Sequence, residues 1–507
     1  MTALVLSRAG VGLTAPLVHV ETFIAGGLPQ FNIVGLPETA VKESRDRVRC
    51  ALLSSGFEFP RRRITVNLAP ADLPKEGARF DLAIAIGVLR ASRQVAGSPL
   101  LDYEFLGELA LDGSLRSVRG TLATALNMQG SKRTLVVPRE DAAHTALVNN
   151  VPVIGAASLR EVWSHLNGLH PLARATAPSP PRPTIERQAQ DLSDVRGQIA
   201  GKRALEVAAA GRHSLLLVGP PGTGKTMLAT RLGSVLPPLT ETEAVETAAV
   251  YSIAQDTRAL CEWYLPPVRS PHHTASGVAL VGGTSLPRPG EVSLAHNGVL
   301  FLDELSEFKR DVLEALREPI EAGKVTVSRA ARQSSFPARF QLIATMNPCP
   351  CGYLNDGTDR CGCSEQMIRR YQLRISGPLL DRIDMAISLS RPSGDENAGT
   401  PNESSRVVRD RVLAAHRRQM RRSGRANAHL TTQETSAHCA IPPDAQALLQ
   451  EATERLCLSE RAVHRTRRVA RTVADLAGRE TIEPTDLLEA LSYRSLDWRV
   501  GTGSKTH

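Results

Sequence analysis

The stretch LLLVGPPGTGKT, residues 215 to 226, carries the strongest pattern in the chain. Its apolar start predicts a buried strand, and the eight residues that follow fit the pattern G-x-x-x-x-G-K-[ST]. Glycines let backbone N–H groups surround a polyphosphate, and the predicted helix that follows favours negative charge at its N-terminus. A plain glycine-rich turn is the alternative, which the flanking strand and helix disfavour. We predict a site for ATP, with Lys225 at the outer phosphates and Thr226 on Mg²⁺, in the segment Gly219, Pro220, Pro221, Gly222, Thr223, Gly224, Lys225 and Thr226.

Two later apolar strands end in polar residues. GVLFLDE ends in Asp303 and Glu304, and RFQLIATMN ends in Asn347. We predict that Asp303 holds the magnesium, that Glu304 polarises the attacking water, and that Asn347 fixes this water near the terminal phosphate. Taken alone, an Asp-Glu pair or an Asn-Pro pair is typical of a solvated turn. The phosphate-binding pattern upstream favours the catalytic interpretation.

The order of predicted elements indicates three parts. Strand and helix patterns alternate around these motifs, which predicts an α/β unit with a parallel sheet at 188–392. Residues 1–169 mix strands with helices in an α+β pattern, and residues 393–507 read as helical. The segment 170–187 has five prolines and little that can pack, so it is predicted to be a stiff linker.

Composition limits the class of protein. The 507 residues carry 61 Lys plus Arg against 52 Asp plus Glu, a net charge of +9, and 42% are hydrophobic, which excludes a disordered or collagen-like chain. Arginine supplies 53 of the basic residues; it suits phosphate contacts, and a genome rich in G and C is an equal explanation. Without a secretory signal or an apolar span, the sequence predicts a cytoplasmic protein without a membrane segment.

At these motifs the chain resembles the AAA+ P-loop ATPases, in the clade of magnesium-chelatase subunits and MCM helicases. The segments SPHHTASGVALVGG, AHNGVLFLDEL, NPCPCG and SGPLLDRID resemble the YifB/ComM family over nearly the whole chain. The resemblance implies an AAA+ core with a helical lid and a homo-hexameric ring. It also implies an ATP-driven motor that acts on DNA, as a helicase or in branch migration during natural transformation.

The resemblance also assigns two arginines. Arg382, in SGPLLDRIDM, reads by itself as a surface residue, but its segment is similar to that of the arginine finger in MCM proteins. A finger acts on the ATP of the neighbouring subunit, so the resemblance implies that hydrolysis requires assembly. Arg461 lies where the family places its second sensor arginine. Arg465 and Arg468 share much the same helical face, so the register stays open.

Residues 1–169 resemble the Lon protease catalytic domain, which has a ribosomal S5 domain 2-like fold. Arg79 stands where that family has its nucleophilic serine, and Leu122 stands where it has its lysine. A Ser-Lys dyad needs a hydroxyl and an amine within hydrogen-bond reach. We therefore expect no peptidase activity, and a role in DNA handling or assembly.

Eight cysteines are too few for a disulfide scaffold, yet four of them lie within fifteen residues. Cys349 and Cys351 form one C-x-C pair, and Cys361 and Cys363 form another. Four thiolates can enclose Zn²⁺ tetrahedrally, and free thiols in a mobile loop are the alternative. The other cysteines are predicted to be ordinary packing residues: Cys50, Cys261, Cys439 and Cys457.

Three groups of residues are candidates for contact with DNA: a predicted hairpin, an insertion and a basic helix. By resemblance, the hairpin and the insertion project toward the pore of a ring, whereas the helix is alternatively a solvated lid surface. The adjacent histidines of the insertion are expected to diverge, which disfavours a metal site. The candidates are Lys324 and Arg329; Arg269, His272, His273 and Arg288; and Arg417, Arg418, Arg421 and Arg422.

Three other functions are weighed against a DNA motor. A magnesium-chelatase motor needs a porphyrin-binding partner and a metal-binding adhesion-type domain, and neither is visible, so no porphyrin is predicted. An ATP-dependent protease is disfavoured by Arg79 and Leu122. A scaffold whose ATP site only controls assembly stays open.

Overall fold

A computed structural model describes most of the chain. The described residues are 1–95, 99–179, 190–254, 256, 258–283, 288–329, 332–391, 402–456 and 458–494. Residues 180–187 of the predicted linker, the 392/393 boundary, Cys457 and the side chain of Arg329 lie outside this description. The predicted division into domains therefore stays a prediction. No helix among the described residues has the length and apolar character needed to cross a bilayer.

The first part of the chain forms a seven-stranded mixed sheet. Strand Leu17–Ala25 alternates buried and exposed residues, as its sequence predicts, and pairs antiparallel with both neighbours. The other neighbouring pairs are parallel. In sheet order the strands are Gln30–Val34, Arg63–Ala69, Leu17–Ala25, Thr2–Arg8, Tyr103–Phe105, Thr134–Pro138 and Val153–Ala156. The helices are Thr39–Ser54, Asp81–Ala91, Thr121–Asn127, Arg139–Thr145 and Leu159–Leu166.

The middle part is built on a five-stranded parallel sheet, as the alternation of strands and helices predicts. Its three central strands are buried on both faces, which requires the continuous apolar runs seen in the sequence. The strand order is Val268–Arg269, Val299–Leu302, Gln341–Met346, Leu215–Val218 and Met385–Ser388. The longer helices are Ile199–Gly211, Lys225–Thr230, Glu241–Ala254, Arg310–Ala315, Arg317–Ala322 and Glu365–Gln372. A hairpin of Lys324–Arg329 and Arg332–Pro337 precedes the third strand in this order.

The last part is helical in its described residues, as predicted. It packs onto helix Ile199–Gly211 of the middle part, and both share one hydrophobic core that includes Leu205 and Val469. This core fixes the helices against the face of the parallel sheet. The helices are Ser405–Ser423, Thr432–His438, Pro443–Arg455, Glu460–Leu476 and Pro484–Ser492.

The two positions that depart from the Lon pattern lie near the contact between the first and middle parts. Leu122 is 3% exposed and belongs to a core with Ala244 and Trp263 of the middle part. Arg79 is buried, donates a hydrogen bond to the carbonyl of Arg119, and burial lowers its pKa to about 10. Neither side chain offers a nucleophile or a free amine base, so the expectation of no peptidase activity keeps its chemical basis.

Truncating Leu122 tests this contact. Leu122→Ala should leave a cavity between the two parts and destabilise the protein by about 2–5 kcal/mol. The control Leu111→Ala removes the same atoms from a residue that is 59% exposed, and should stay within about 0.5 kcal/mol. Denaturation in urea, followed by intrinsic fluorescence, compares the two variants. Equal midpoints would contradict the packing role.

Candidate active site

The phosphate loop, residues 219–226, follows strand Leu215–Val218 at the carboxyl edge of the parallel sheet. Gly222 and Gly224 have φ values of +79° and +82°, in the left-handed region that favours glycine. At Gly219 an added Cβ would lie 2.5 Å from the carbonyl oxygen of Leu389, so only glycine fits there. Helix Lys225–Thr230 begins at the last two residues of the loop. This is the strand, loop and helix arrangement that the sequence predicts.

Lys225 is hydrogen-bonded to three other predicted site residues. Its Nζ donates hydrogen bonds to the carbonyls of Gly219 at 2.7 Å and Pro220 at 2.8 Å, and to Asn347 Oδ1 at 3.1 Å. Burial lowers the pKa of Lys225, and the negative charges of Asp303 and Glu304 oppose that shift. The amine is therefore held within the loop beside the Asn347 amide.

Thr226 and Asp303 face each other across the carboxyl edge. Thr226 Oγ1 donates to the two Asp303 carboxylate oxygens, at 3.1 and 3.2 Å. Hydroxyl and carboxylate oxygens are the hard ligands that Mg²⁺ takes, with phosphates and waters completing its shell. The residues present thus fit magnesium together with a nucleotide.

Thr345 was missed by the sequence reasoning. Its Oγ1 donates to Asp303 Oδ1 and accepts from the backbone N–H of Glu304 at 3.1 Å. The register of the two neighbouring strands pairs Leu302 with Ala344, so Thr345 comes beside the acidic pair. A polar residue near the end of a largely apolar strand, two positions before Asn347, was the available signal.

Glu304 is exposed and has a left-handed backbone with φ +54°. This conformation is uncommon for a residue with a side chain and is concentrated at functional sites. The hydrogen bond from its N–H to Thr345 holds the turn. The carboxylate therefore stands where water reaches it, next to the residues that fit magnesium.

Arg382 lies at the opposite edge of the same sheet. It precedes strand Met385–Ser388, whereas the phosphate loop follows the parallel strand Leu215–Val218, and Leu215 pairs with Met385. About one strand length, roughly 13 Å for four residues, separates the two edges. Arg382 is therefore placed away from the phosphate loop of its own chain.

The Arg382 side chain is 10% exposed and lies against Glu321. Its Nη1 donates to the carbonyl of Pro378 at 2.7 Å, Nη2 donates to Glu321, and Nε has no partner among the described residues. Arg461, whose side chain is 71% exposed, forms a second ion pair with Glu321 at 3.2 Å. Glu321 thus binds both predicted arginines, and no sequence pattern distinguished it from a solvated helix-end acid.

The neighbouring arginines of the same helix make internal contacts. Arg465 donates to the carbonyl of Arg382 and forms an ion pair with Asp384 at 3.4 Å. Arg468 donates to Thr435 Oγ1 at 3.0 Å and to the carbonyl of Ala428 at 3.1 Å. Of the three candidates for the second sensor, only Arg461 is free of such backbone contacts in the described structure. All three candidate arginines, Arg461, Arg465 and Arg468, border a cavity of about 880 Å³ that opens at the surface.

Several residues proposed to contact DNA have partners within the protein. Arg269 pairs with Glu291 at 2.7 and 2.9 Å, which neutralises its charge. In the basic helix, Arg418 donates to the carbonyl of Asp475 at 2.8 Å, and Arg422 pairs with the Asp475 carboxylate at 2.7 Å. Six of the candidates with described side chains are exposed: Lys324, His272, Arg288, Arg417, Arg418 and Arg421.

The expectation that the adjacent histidines diverge is wrong. The rings of His272 and His273 lie 4.1 Å apart with an interplanar angle of 34°. The segment is neither strand nor helix, so the alternation that separates neighbouring side chains does not apply. His272 Nδ1 is hydrogen-bonded to Thr274 Oγ1, and His273 packs edge-on to Phe308. His273 therefore packs against the turn of residues 303–308, which carries Asp303 and Glu304 and which we call the acidic turn.

The four clustered cysteines come together. All four Sγ atoms lie within 4.8 Å of one another, and Cys349 follows the strand Gln341–Met346 by three residues. Of the cysteines expected to be packing residues, Cys439 is buried, whereas Cys50 is exposed because it lies on the outer face of its helix. Cys261 is partly buried.

Comparisons with known proteins cover nearly the whole chain. The family model described as "Magnesium chelatase, subunit ChlI" matches residues 191–397, "Subunit ChlI of Mg-chelatase" matches 20–141, and "Magnesium chelatase, subunit ChlI C-terminal" matches 402–494. The chain is 48% identical over 498 residues to Competence protein ComM of Haemophilus influenzae, covering 97% of each chain. It is 47% identical over 500 residues to Uncharacterized protein YifB of Escherichia coli, covering 98% of this chain and 97% of that one.

Part of the chain is also similar, at lower identity, to a protease. The chain is 26% identical over 183 residues to Lon protease 2 of Bacillus subtilis, which covers 32% of this chain and 33% of that protein. The three family models and the two full-length relatives agree on one family. The chain belongs to the YifB/ComM family of magnesium-chelatase-like proteins.

Proposed function

We propose that the protein is a Mg²⁺-dependent AAA+ ATPase that assembles into a homo-hexameric ring and moves DNA strands. Its work would be helicase action or branch migration in the recombination of incoming DNA. The observation that carries this proposal is the split of the site. Lys225, Asp303 and Glu304 lie at one edge of the sheet, and Arg382 lies at the other. A complete site then needs two copies arranged head to tail, and a head-to-tail contact that closes forms a ring.

Each residue has a defined task in hydrolysis. Backbone N–H groups of the phosphate loop and Lys225 Nζ bind the phosphates, in place of the carbonyl contacts that Lys225 now makes. Thr226 and Asp303 would hold Mg²⁺, which supplies charge neutralisation at the phosphates. Glu304 accepts a proton from the attacking water, and Asn347 orients that water.

Arg382 of the neighbouring copy is proposed to complete the site. Its unpartnered Nε and its ion pair with Glu321 fit a guanidinium that exchanges a carboxylate for a phosphate when subunits meet. Arg461 borders the same cavity and pairs with the same carboxylate, so we assign it to the same interface. Assembly would therefore be required for rapid turnover.

DNA as the substrate rests on other observations. The H. influenzae relative is named a competence protein, and exposed basic residues lie on the hairpin and the insertion. The net charge of +9 is a weaker argument, because several of the arginines in the last part are bound internally. A magnesium-chelatase-type remodelling ATPase and an ATP-regulated scaffold are the competing functions.

Strand displacement on forked or three-stranded DNA tests the proposal. The unsubstituted protein should displace strands with ATP, and DNA should raise its ATPase rate. Lys225→Ala should lose both activities and weaken ATP binding about 10- to 100-fold, because it removes a charged hydrogen-bond donor from the phosphates. Lys132→Ala, an exposed lysine of the first part, is the matched control and should behave as the unsubstituted protein.

The competing functions give different results. ATP hydrolysis that ignores DNA, without strand movement, would contradict the motor and favour a remodelling ATPase. ATP-dependent assembly without turnover would favour the scaffold. DNA binding should also weaken steeply with salt, since phosphate contacts release counterions.

A further inference from the structure

A loop of residues 348–364, which we call the cysteine loop, joins the strand that ends before Asn347 to helix Glu365–Gln372. It has no strand or helix of its own, yet its four cysteines converge. Cys349 Sγ lies 3.4 Å from Cys351 Sγ and 3.8 Å from Cys361 Sγ, and the latter two are 3.7 Å apart. A disulfide would bring two sulfurs to about 2.05 Å, so these contacts are not disulfides.

The sulfur spacing is that of a single tetrahedral metal site. A zinc–sulfur bond of about 2.3 Å in a regular tetrahedron separates neighbouring sulfurs by about 3.8 Å. Four thiolates surrounding one point suit a soft or borderline ion, and four cysteines form a common structural zinc set. We propose that the cysteine loop binds one Zn²⁺ through Cys349, Cys351, Cys361 and Cys363, and that this metal positions Asn347 and the phosphate loop for ATP hydrolysis.

The amino-terminal side of the cysteine loop packs against the phosphate loop. Gly352 has φ +85°, and an added Cβ would lie 2.8 Å from Pro221 Cδ, so its backbone packs directly on that proline. Asn347, which accepts from Lys225 Nζ, lies two residues before Cys349. A change in the cysteine loop is thus transmitted to both the amide and the phosphate loop over one or two residues.

The carboxyl-terminal side reaches the acidic turn. Ser364, next to Cys363, caps helix Glu365–Gln372 by accepting from the N–H of Met367. In that helix Tyr371 accepts a hydrogen bond from Ser306 Oγ at 2.5 Å, and Ser306 lies two residues after Glu304. Gln372 Nε2 also donates to the carbonyl of Pro348 at 3.1 Å, which closes the loop on itself.

A bound metal would stabilise the cysteine loop, which has little buried apolar surface of its own. Only Cys349 of the four ligands is buried, and the segment offers few apolar side chains to hold its ends together. In such segments metal binding provides the free energy of folding. The cysteine loop would then be a rigid brace between the phosphate loop and the helix that supports the acidic turn.

Zinc content tests the metal site independently of ATPase activity. The protein, purified with a reducing agent from zinc-supplemented cells, should contain about one Zn²⁺ per chain by mass spectrometry, and Co²⁺ replacement should give the absorption of a tetrahedral thiolate site. Cys361→Ser should lose most of the metal. Cys363→His should keep it, since Cys₃His is a common zinc set. Cys50→Ser, an exposed cysteine outside the cluster, is the matched control.

Two results would overturn the metal site. One is an unsubstituted protein without zinc under these conditions, and the other is Cys361→Ser with as much zinc as the unsubstituted protein. If Cys361→Ser does not fold, the comparison of Cys363→His with Cys363→Ser still decides, because only the histidine variant is expected to retain the metal.

The positioning role rests on the proposed function and is measured separately. Cys361→Ser should lower kcat about 10- to 100-fold, as the loss of groups that support a site typically does, with a smaller change in ATP affinity. Cys363→His should recover most of the turnover. A zinc-free variant with unchanged kcat would overturn the positioning role, while the metal site would stand. If the unsubstituted protein hydrolyses no ATP, the proposed function fails, and the zinc measurements still decide the site.

Discussion

Replacing Arg382 with alanine should lower ATP turnover about 10³-fold or more, the range found for arginines supplied by a neighbouring molecule. ATP binding should remain close to normal, because Arg382 lies at the edge of the sheet opposite the phosphate loop of its own chain. Initial rates of phosphate release and the affinity for a fluorescent ATP analogue measure the two effects. Arg45→Ala, an exposed arginine paired only with Asp46 among the described residues, is the control.

Mixed assemblies sharpen this prediction. A chain with Arg382→Ala keeps its phosphate loop, and a chain with Lys225→Ala keeps its arginine. At a contact where the Arg382→Ala chain contributes its phosphate loop and the Lys225→Ala chain contributes its Arg382, the ATP site has all of its residues. Mixing two nearly inactive variants should therefore restore part of the turnover. Normal turnover by Arg382→Ala alone would contradict the assignment of this residue.

Replacing Glu304 with glutamine should lower turnover about 10²- to 10⁴-fold, the contribution of a positioned general base. Glutamine has the same shape, but it cannot accept the proton of the attacking water. Thr226 and Asp303 are unchanged, so ATP should still bind with magnesium. Single-turnover hydrolysis and ATP-binding measurements separate the two steps, and a trapped ATP-bound assembly should be visible by its mass.

Glu307→Gln is the matched control for that experiment. Glu307 is an exposed acid three residues later in the same turn, and its carboxylate pairs with Arg374. It should change turnover little. Equal loss in both variants would indicate that the turn needs its negative charge rather than a base at Glu304. Normal turnover in Glu304→Gln would remove Glu304 from the catalytic role.

Contiguous motifs could be predicted because neighbouring residues determine them. The phosphate loop needs glycines at positions with positive φ and a strand and helix on either side, and all of these lie within residues 215–230. Asp303 and Asn347 could be placed as well, since each ends an apolar strand, and parallel strands end at the same edge of a sheet. The two C-x-C pairs could also be recognised, because each pair lies within three consecutive residues.

Pairings between distant residues could not be predicted in this way. Thr345 became a partner of Asp303 and Glu304 through the register of two strands, and Glu321 became the partner of Arg382 and Arg461 through packing of the last helices. The charge of Arg269 is neutralised by Glu291, twenty-two residues away. None of these contacts leaves a periodic or local signal.

The sequence by itself determined the parallel-sheet class and the residues of the phosphate loop, because these depend on local backbone geometry and on strand and helix periodicity. The family followed from the resemblance of several motifs along the chain to those of known proteins. Only the tertiary structure decided that Arg382 lies at the opposite edge from Lys225, that Arg418 and Arg422 are bound to helix Glu460–Leu476, and that four thiols meet at one point. The physical reason is that side-chain partners far apart in sequence are selected by strand register and helix packing, which no short stretch encodes.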